Sequence, residues 1–551
     1  MGPAPLFAHL LQWLGWAKKI DEHVGRDSCK VSVGTRIEAL LINIATDRKA
    51  LYKVAEFYEK MDTQLLFGEG IHPEDLNDDA LGRALDALHD ADIESLYAQI
   101  ALSTLESLKV MDSFDGFLPV HSDTTSLSLY GEYPNQEDPE IVRGYSKDHR
   151  ADLKQILFGL STVRGIPLYG NVDKGNQDDH TWNLNTIAEI GGLVNQEVHG
   201  RMLYVADAAA ITKTNLDRFH ETKTHFISRL PSTFSLCESL KKTAWGKEDA
   251  WQEVGRIAQG DSSATYKIQS LRRELYGRTY RFLVVRSTSL DARKEHKLED
   301  VLEREMKALE KAAAALGRSL YECEADAQQG AQEFLHTNRR SMHPLETSIE
   351  LVQTTEKRTG RGRPRKDATP PVQKTEYRIH VNVGSPKEET LKEWREQEAT
   401  FVLMTDIRDD HALADEQMLH FYKQQYVVEG RFRFLKSPYH VGPIYLQKPS
   451  RVKAFGYLML LSLLMYSTFE YIIRQQMEQE KKPLILPGKR ESRRPTGTAV
   501  LEMFETMVTT WVSMDGQWQR MRTKSNNVQV DRVLEFFGLD MSIYSEPKKS
   551  I

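Results

Sequence analysis

Two aspartates each follow a short apolar run with the texture of a β-strand. Asp123 comes after Phe117, Leu118, Pro119 and Val120 in VHSDTTS, and Asp207 after Leu203, Tyr204, Val205 and Ala206 in YVADAAA. Ligands collect at the carboxyl ends of strands in an open α/β sheet, so a carboxylate there is placed to bind one. Taken alone, either residue reads more simply as a turn or helix N-cap aspartate. A third pattern lies in YKQQYVVEGRFRFLK, where Tyr422, Gln425, Glu429 and Lys436 spell Y-x2-Q-x3-E-x6-K. Offsets of 3, 4 and 7 residues put all four on one helix face at about 100° per residue. Such a stripe is also what the solvated edge of a core helix shows. The sequence holds no G-x-x-x-x-G-K-[ST] loop, no H-E-x-x-H and no G-x-S-x-G, so nucleotide hydrolysis, zinc proteolysis and α/β-hydrolase chemistry lack their cues.

These residues need elements to hold them. Up to about residue 108 apolar residues recur at helical spacing, as in Ile37, Leu40, Leu41 and Ile44, and predict an all-helical N-terminal domain over 1–112. From 117 the texture changes to short β-rich runs at 127–130, 157–163 and 166–169. A helix follows at 181–194, then strands at 202–206 and 225–228. Strands, a helix and more strands predict a mixed α/β sheet. An insertion over 236–395 follows, with a strand at 280–285, a charged helix at 298–316 and an Arg/Gly/Pro-rich linker at 357–374. The sheet resumes in a second part, 396–477, with long helices expected at 412–436 and 451–477. A C-terminal segment, 478–551, carries a helical 498–512. The fold class is thus a multidomain α/β protein.

The 551 residues suffice for several buried cores at 40% hydrophobic and 9% aromatic content, which excludes wholesale disorder. Lys+Arg number 73 and Asp+Glu 79, a formal charge of −6, so nucleic-acid binding must rest on local patches. Cys29, Cys237 and Cys323 are far apart and odd in number, which fits neither a disulfide framework nor a C-x-x-C site and points to a reducing, intracellular compartment. The N-terminus lacks the basic and apolar regions of an export signal. The run 454–469 (AFGYLMLLSLLMYSTF) falls short of the roughly twenty residues of a bilayer span and reads as a buried helix, so no membrane is expected.

In combination the motifs become specific. The sequence resembles the DDE-type insertion-sequence transposases of the bacterial group whose signature is Y-x2-R-x3-E-x6-K. The likeness is carried by HSDTT at 121–125, GYSKDHRADLKQ at 144–155, GIPL at 165–168, YVADA at 204–208 and the stretch 422–436, in the order such enzymes use. The departure is Gln425, where the group usually has Arg; a glutamine can hydrogen-bond a phosphate but not neutralise it.

The resemblance implies an RNase H-like core interrupted by a β-rich insertion between Asp207 and Glu429. It also implies a catalytic and metal-binding triad of Asp123, Asp207 and Glu429, holding two Mg²⁺ or Mn²⁺ ions. Two such ions about 3.5–4 Å apart activate the nucleophile and stabilise the leaving oxygen of a phosphodiester, and hard oxygen ligands suit them. Tyr422, Gln425 and Lys436 would contact phosphates near the cleaved end. Further DNA contacts are expected from Arg431 and Arg433, and from Arg361 and Arg363 in RGRP, the core of an AT-hook inside the basic run 357–366. Another basic group surrounds Tyr276 and Tyr280, where a charged sheet face is the plainer reading.

The expected activity is cleavage at insertion-sequence ends and joining of the 3′-hydroxyls to target DNA. The partners are double-stranded terminal repeats and target, with a homodimer in the synaptic complex, in the bacterial cytoplasm and associated with DNA. The N-terminal helices are expected to recognise the ends. The competing readings are an RNase H-like nuclease without strand transfer and an inactive DNA-binding regulator.

Overall fold

The computed structural model describes residues 1–25, 29–114, 116–134, 138–148, 150–257, 264–288, 292–355, 373–436, 446–515, 517–522 and 527–546. They form two compact units, one of Met1–Pro231, Arg272–Arg281 and Met404–Ile551, the other of Ser232–Leu271 and Phe282–Leu403.

The first unit is built on strands β1 (Leu118–Leu129), β2 (Lys154–Val163), β3 (Ile166–Lys174), β4 (Met202–Ala206) and β5 (His225–Arg229), in the order β3-β2-β1-β4-β5. β1 runs antiparallel to β2, and β2 to β3, whereas β1, β4 and β5 are parallel. All of β4 is buried, and so is nearly all of β2, as expected of strands covered on both faces. β1 does not stop at Val120. Its β-branched and small residues Ser122, Thr124, Thr125 and Ser126 continue the ladder against β2 as far as Leu129, so the two short runs read in the sequence are one strand.

The apolar run 454–469 lies in a helix of 32 residues, Pro449–Glu480. It is long and apolar enough to cross a membrane, but 89% of its most apolar window is buried inside the protein. β3 and the N-terminal helices pack on it. Phe7 meets Phe469 at 5.5 Å between ring centroids and Tyr97 meets Tyr457 at 5.8 Å; Arg451 pairs with Asp86 at 2.6 Å and Lys453 with Glu94 at 2.7 Å. The N-terminal helices, expected as a domain of their own, therefore share a core with the sheet. The chain ends join as well, through Gly2 N–H to the Met507 carbonyl at 3.0 Å and the Tyr544 hydroxyl to the Gly2 carbonyl at 2.7 Å.

The C-terminal segment corrects one expectation. In place of a helix over 498–512 there is a short helix, Gly497–Leu501, then a turn of 3₁₀ helix and a strand, Thr509–Met514, antiparallel to Gln517–Arg522. The β-branched and aromatic run Thr509, Thr510, Trp511, Val512 favours a strand.

In the second unit the strands Leu345–Thr355 and Gln373–Val383 pair antiparallel, and Leu320–Tyr321 adds a short third strand. The helix Glu324–Thr337 covers them, burying Ala327 and Ala331 against Ile379. Most of the linker 357–374, with Arg361 and Arg363, lies outside the described residues.

Candidate active site

The parallel register of β1 and β4 sets the site. His121 is opposite Val205, so two residues further along both strands Asp123 comes level with Asp207 and, by the alternation of side chains, on the same face. Asp207 stands just past the end of β4, where its Oδ1 caps the turn Ala208–Ala210 by accepting from Ala209 N–H at 3.0 Å. Burial raises the pKa of Asp123 to about 7, with Asp207 and Asp179 adding to the rise and Lys147 opposing it. Asp207 is raised as well, by burial first and then by Asp179.

Two of these neighbours were missed as site residues. Lys147 lies on the segment leading into β2, and its Nζ donates to the Thr124 carbonyl at 2.8 Å and to Thr124 Oγ1 at 2.6 Å. It stands 3.3 Å from Asp179 Oδ2 and 4.0 Å from Asp123 Oδ1. Asp179, the first residue of the helix Asp179–Leu193, accepts from Thr124 Oγ1 at 2.5 Å. Asp173, Asp178 and Asp179 crowd a polar stretch that has, in sequence, the look of a solvated turn. Its only hint was Asp178, which caps that helix through Thr181 N–H at 2.9 Å and so aims the next side chain at β1.

The stretch 422–436 is not one continuous helix. Asp415–Lys423 ends, Gln424 and Gln425 form a tightened turn, and a second helix runs Tyr426–Lys436. The backbone switches to i→i+3 bonds at the break, from Gln425 N–H to the Tyr422 carbonyl at 3.1 Å and from Val428 N–H to the Gln425 carbonyl at 3.1 Å. Tyr422, Gln425, Glu429 and Lys436 therefore do not share one uninterrupted helical stripe. The first helix packs on β4 and β5, and the second on β1 and β2. His121 fixes the junction by donating from Nε2 to the Phe421 carbonyl at 2.8 Å. Burial lowers its pKa to about 4, so the ring is neutral and serves as a local anchor.

Tyr422 stands between the two halves of the site. Burial raises its pKa to about 12; Arg229, at the end of β5, is hydrogen-bonded to it and opposes the rise, while Asp207 and Glu429 both add to it. Arg229 is a third residue missed in the sequence. Glu429 is exposed on the second helix. Among the described residues no three His, Cys, Asp or Glu side chains are gathered closely enough to hold a metal ion. The donor chemistry of Asp123 and Asp207 nonetheless suits a hard divalent cation, since two adjacent carboxylates with raised pKa values are relieved by positive charge.

The basic residues divide sharply. Arg431, expected on DNA, is buried: its Nη1 donates to Glu470 Oε2 at 2.6 Å and its Nε to the Gly165 carbonyl at 2.7 Å. That expectation is corrected, because the alternation of the second helix turns Arg431 inward with Val428, Phe432 and Leu435. Arg433 is exposed, and Lys436 pairs with Asp148 at 2.5 Å. The basic group in the insertion sequence is paired too, Arg272 and Arg281 with Asp410 and Arg278 with Asp217.

Residues 3–102 match the family model described as a domain of unknown function, DUF4277. The comparison with curated proteins finds no similar sequence. Among solved structures, the chain is similar to one in the cryo-EM structure of the piggyBac transposase synaptic complex with hairpin DNA. The TM-score is 0.37 and the identity 9%, over 91% of this chain and 80% of that one.

Proposed function

We propose that this chain is a DNA transposase of the DDE insertion-sequence type, with an RNase H-like core. The observation that carries the reading is the β1–β4 register, which brings Asp123, inside β1, level with Asp207, just past the end of β4, with the Glu429 helix packed on the same strand β1. The order β3-β2-β1-β4-β5, antiparallel in its first three strands and parallel after them, supports the core assignment.

In this reading Asp123 and Asp207 would hold Mg²⁺ or Mn²⁺ ions, with Glu429, on the helix packed against β1, as the third carboxylate of the set. The bound ions supply activation of the attacking oxygen and stabilisation of the leaving one. The protein's own groups do the positioning. The Ala208–Ala210 turn fixes the Asp207 carboxylate, the ladder to β2 fixes Asp123, and Tyr422 with Arg229 offers a hydroxyl and a cation to a phosphate beside them. Water would attack the phosphodiester at the element's end and break its P–O3′ bond, leaving a 3′-hydroxyl on the element and a 5′-phosphate on the flank. That hydroxyl would then attack a target phosphodiester in the same site, the new P–O3′ bond forming as the target's own breaks and releases a target 3′-hydroxyl. The partners are the element's terminal repeats and target DNA, engaged by a homodimer in the bacterial cytoplasm.

The test is cleavage of DNA bearing the element's own ends in Mg²⁺ or Mn²⁺, comparing the wild type with Glu429→Gln. End nicking followed by joining, both lost in the variant while DNA binding persists, is the expected result. Cleavage without joining would replace transposition with a plain nuclease activity, and end binding without cleavage by the wild type would make the chain a regulator.

A further inference from the structure

Two adjacent residues of opposite charge on one loop each cancel an opposite charge of the site. Lys147 reaches the acidic side, with its Nζ on the Thr124 carbonyl and hydroxyl, 3.3 Å from Asp179 and 4.0 Å from Asp123. Asp148 reaches the basic side, its Oδ1 accepting from Lys436 Nζ at 2.5 Å on the glutamate helix. We infer that the segment 144–148 is a built-in surrogate of the substrate, in which the Lys147 ammonium supplies the positive charge and the Asp148 carboxylate the negative charge that a cation and a DNA phosphate bring, and that the segment gives way when DNA enters. The inference rests on the reading of this site as one that takes DNA.

The segment is built for such an exchange. Its start is fixed: at Gly144 a Cβ would lie 2.2 Å from the Gly175 carbonyl oxygen, and the Gln155 amide donates to the carbonyls of Tyr145 at 3.1 Å and Gly175 at 2.7 Å. At its far end one backbone bond, Lys147 N–H to Ser126 Oγ at 2.9 Å, ties the loop to β1, and Ser146 Oγ accepts from Asp148 N–H at 3.3 Å. The side chains that make the two bridges remain accessible, 27% for Lys147, 32% for Asp148 and 26% for Lys436. Solvent-accessible pairs are weak and salt-screened, so a phosphate, which offers several acceptor oxygens, can replace a single carboxylate.

The experiment measures duplex DNA binding by fluorescence anisotropy across a salt series, using the full chain as wild type, Asp148→Asn, Lys436→Gln and the double variant. Melting curves accompany each protein. Removing the internal anion frees Lys436 for one more phosphate, so Asp148→Asn is expected to bind several-fold tighter, with the slope of log K against log salt steeper by about 0.9. Lys436→Gln in the same chain should erase that gain. Lys147→Gln is expected to tighten binding of Mn²⁺ alone, read by water-proton relaxation. Unchanged or weaker DNA binding by Asp148→Asn, or a gain that survives Lys436→Gln, overturns the surrogate, as does unchanged or weaker Mn²⁺ binding by Lys147→Gln. Absence of DNA binding by the wild type at low salt is a different failure, because it removes the DNA reading itself.

Discussion

Replacing Arg431 with methionine separates a structural cation from a DNA-binding one. Its guanidinium side chain is 10% exposed and makes two short bonds, to Glu470 and to the Gly165 carbonyl; Glu470 is 6% exposed. Burial pushes the Glu470 carboxyl upward, but Arg431, Arg474 and the Gly497 N–H outweigh it, and the pKa ends below the usual range. Removing one partner of a buried pair costs about 3–5 kcal/mol because the other charge is left uncompensated. Arg474 stays 3.3 Å from Glu470, and Gly497 N–H still donates to it at 2.8 Å, so the lower end, about 3 kcal/mol, applies to Arg431→Met. In thermal unfolding this is a fall in Tm of about 4 °C, at roughly 1.2 °C per kcal/mol for a unit this much larger than a typical domain. A matching Arg431→Met, Glu470→Leu chain should lose less than the two single variants together, since neither member of the pair is left facing the other's vacancy and Arg474 keeps its bonds to the Pro495 carbonyl. The salt slope of DNA binding should not move. An unchanged Tm together with a slope shallower by about 0.9 per lost phosphate contact would refute the reasoning and return Arg431 to the DNA interface.

The pair of His225 and Asp406, 2.7 Å apart, gives a pH dependence. The hydrogen bond to Asp406 raises the His225 pKa above 6.5 against the opposing effect of burial, so its contribution to stability is complete below the unfolded value and fades as pH rises through the folded one. Asp406→Asn can keep the Phe226 N–H bond, and its Tm deficit relative to wild type should be larger at pH 5.5 than at pH 8.5; an equal deficit sinks the linkage. Gly159→Ala puts a methyl group 2.0 Å from Trp182 Nε1 and 2.3 Å from Asn171 Oδ1, atoms that hydrogen-bond each other at 2.8 Å. Overpacking of this kind costs roughly 1–3 kcal/mol. A wild-type melting curve for that variant would mean that Trp182 does not lie against Gly159 with its bond to Asn171.

The sequence displayed the sheet around the site more clearly than the site itself. β4 and β5 were legible because short apolar runs bounded by turn residues leave little choice of element. Asp207 was visible for the same reason, as the first charged residue after such a run. Asp123 was visible in the same way, after the run 117–120, but its place inside a strand was not: β1 continues past it on serines and threonines, whose pairing with β2 no local pattern announces. The break at Gln424 and Gln425 carries neither Gly nor Pro and arises from packing, with one helix on β4 and β5 and the next on β1 and β2. Lys147 joins Asp123 across a loop, and Arg229 joins Tyr422 from another strand. Contacts of that kind depend on the closed sheet and leave no periodic trace.

The charges teach the same lesson with a consequence for DNA binding. A sequence shows where cations are but not whether an acid far away has already taken them. Arg451 meets Asp86 across 365 residues and Arg281 meets Asp410 across 129. Arg431 meets Glu470 on another helix, and Lys453 is shared by Glu94 and Asp138. Two of the three basic groups that looked like phosphate contacts are thereby largely neutralised within the protein, which agrees with an overall charge of −6. A phosphate approaching the site meets chiefly cations already held in exposed or exchangeable pairs, Lys147 and Lys436 above all, together with exposed Arg433. Strong, salt-insensitive attraction to any DNA is not what such a surface provides. On the proposed reading it would favour binding that develops only as internal pairs are traded for phosphates, so that affinity for DNA would be set by the acids that hold the cations as much as by the cations themselves.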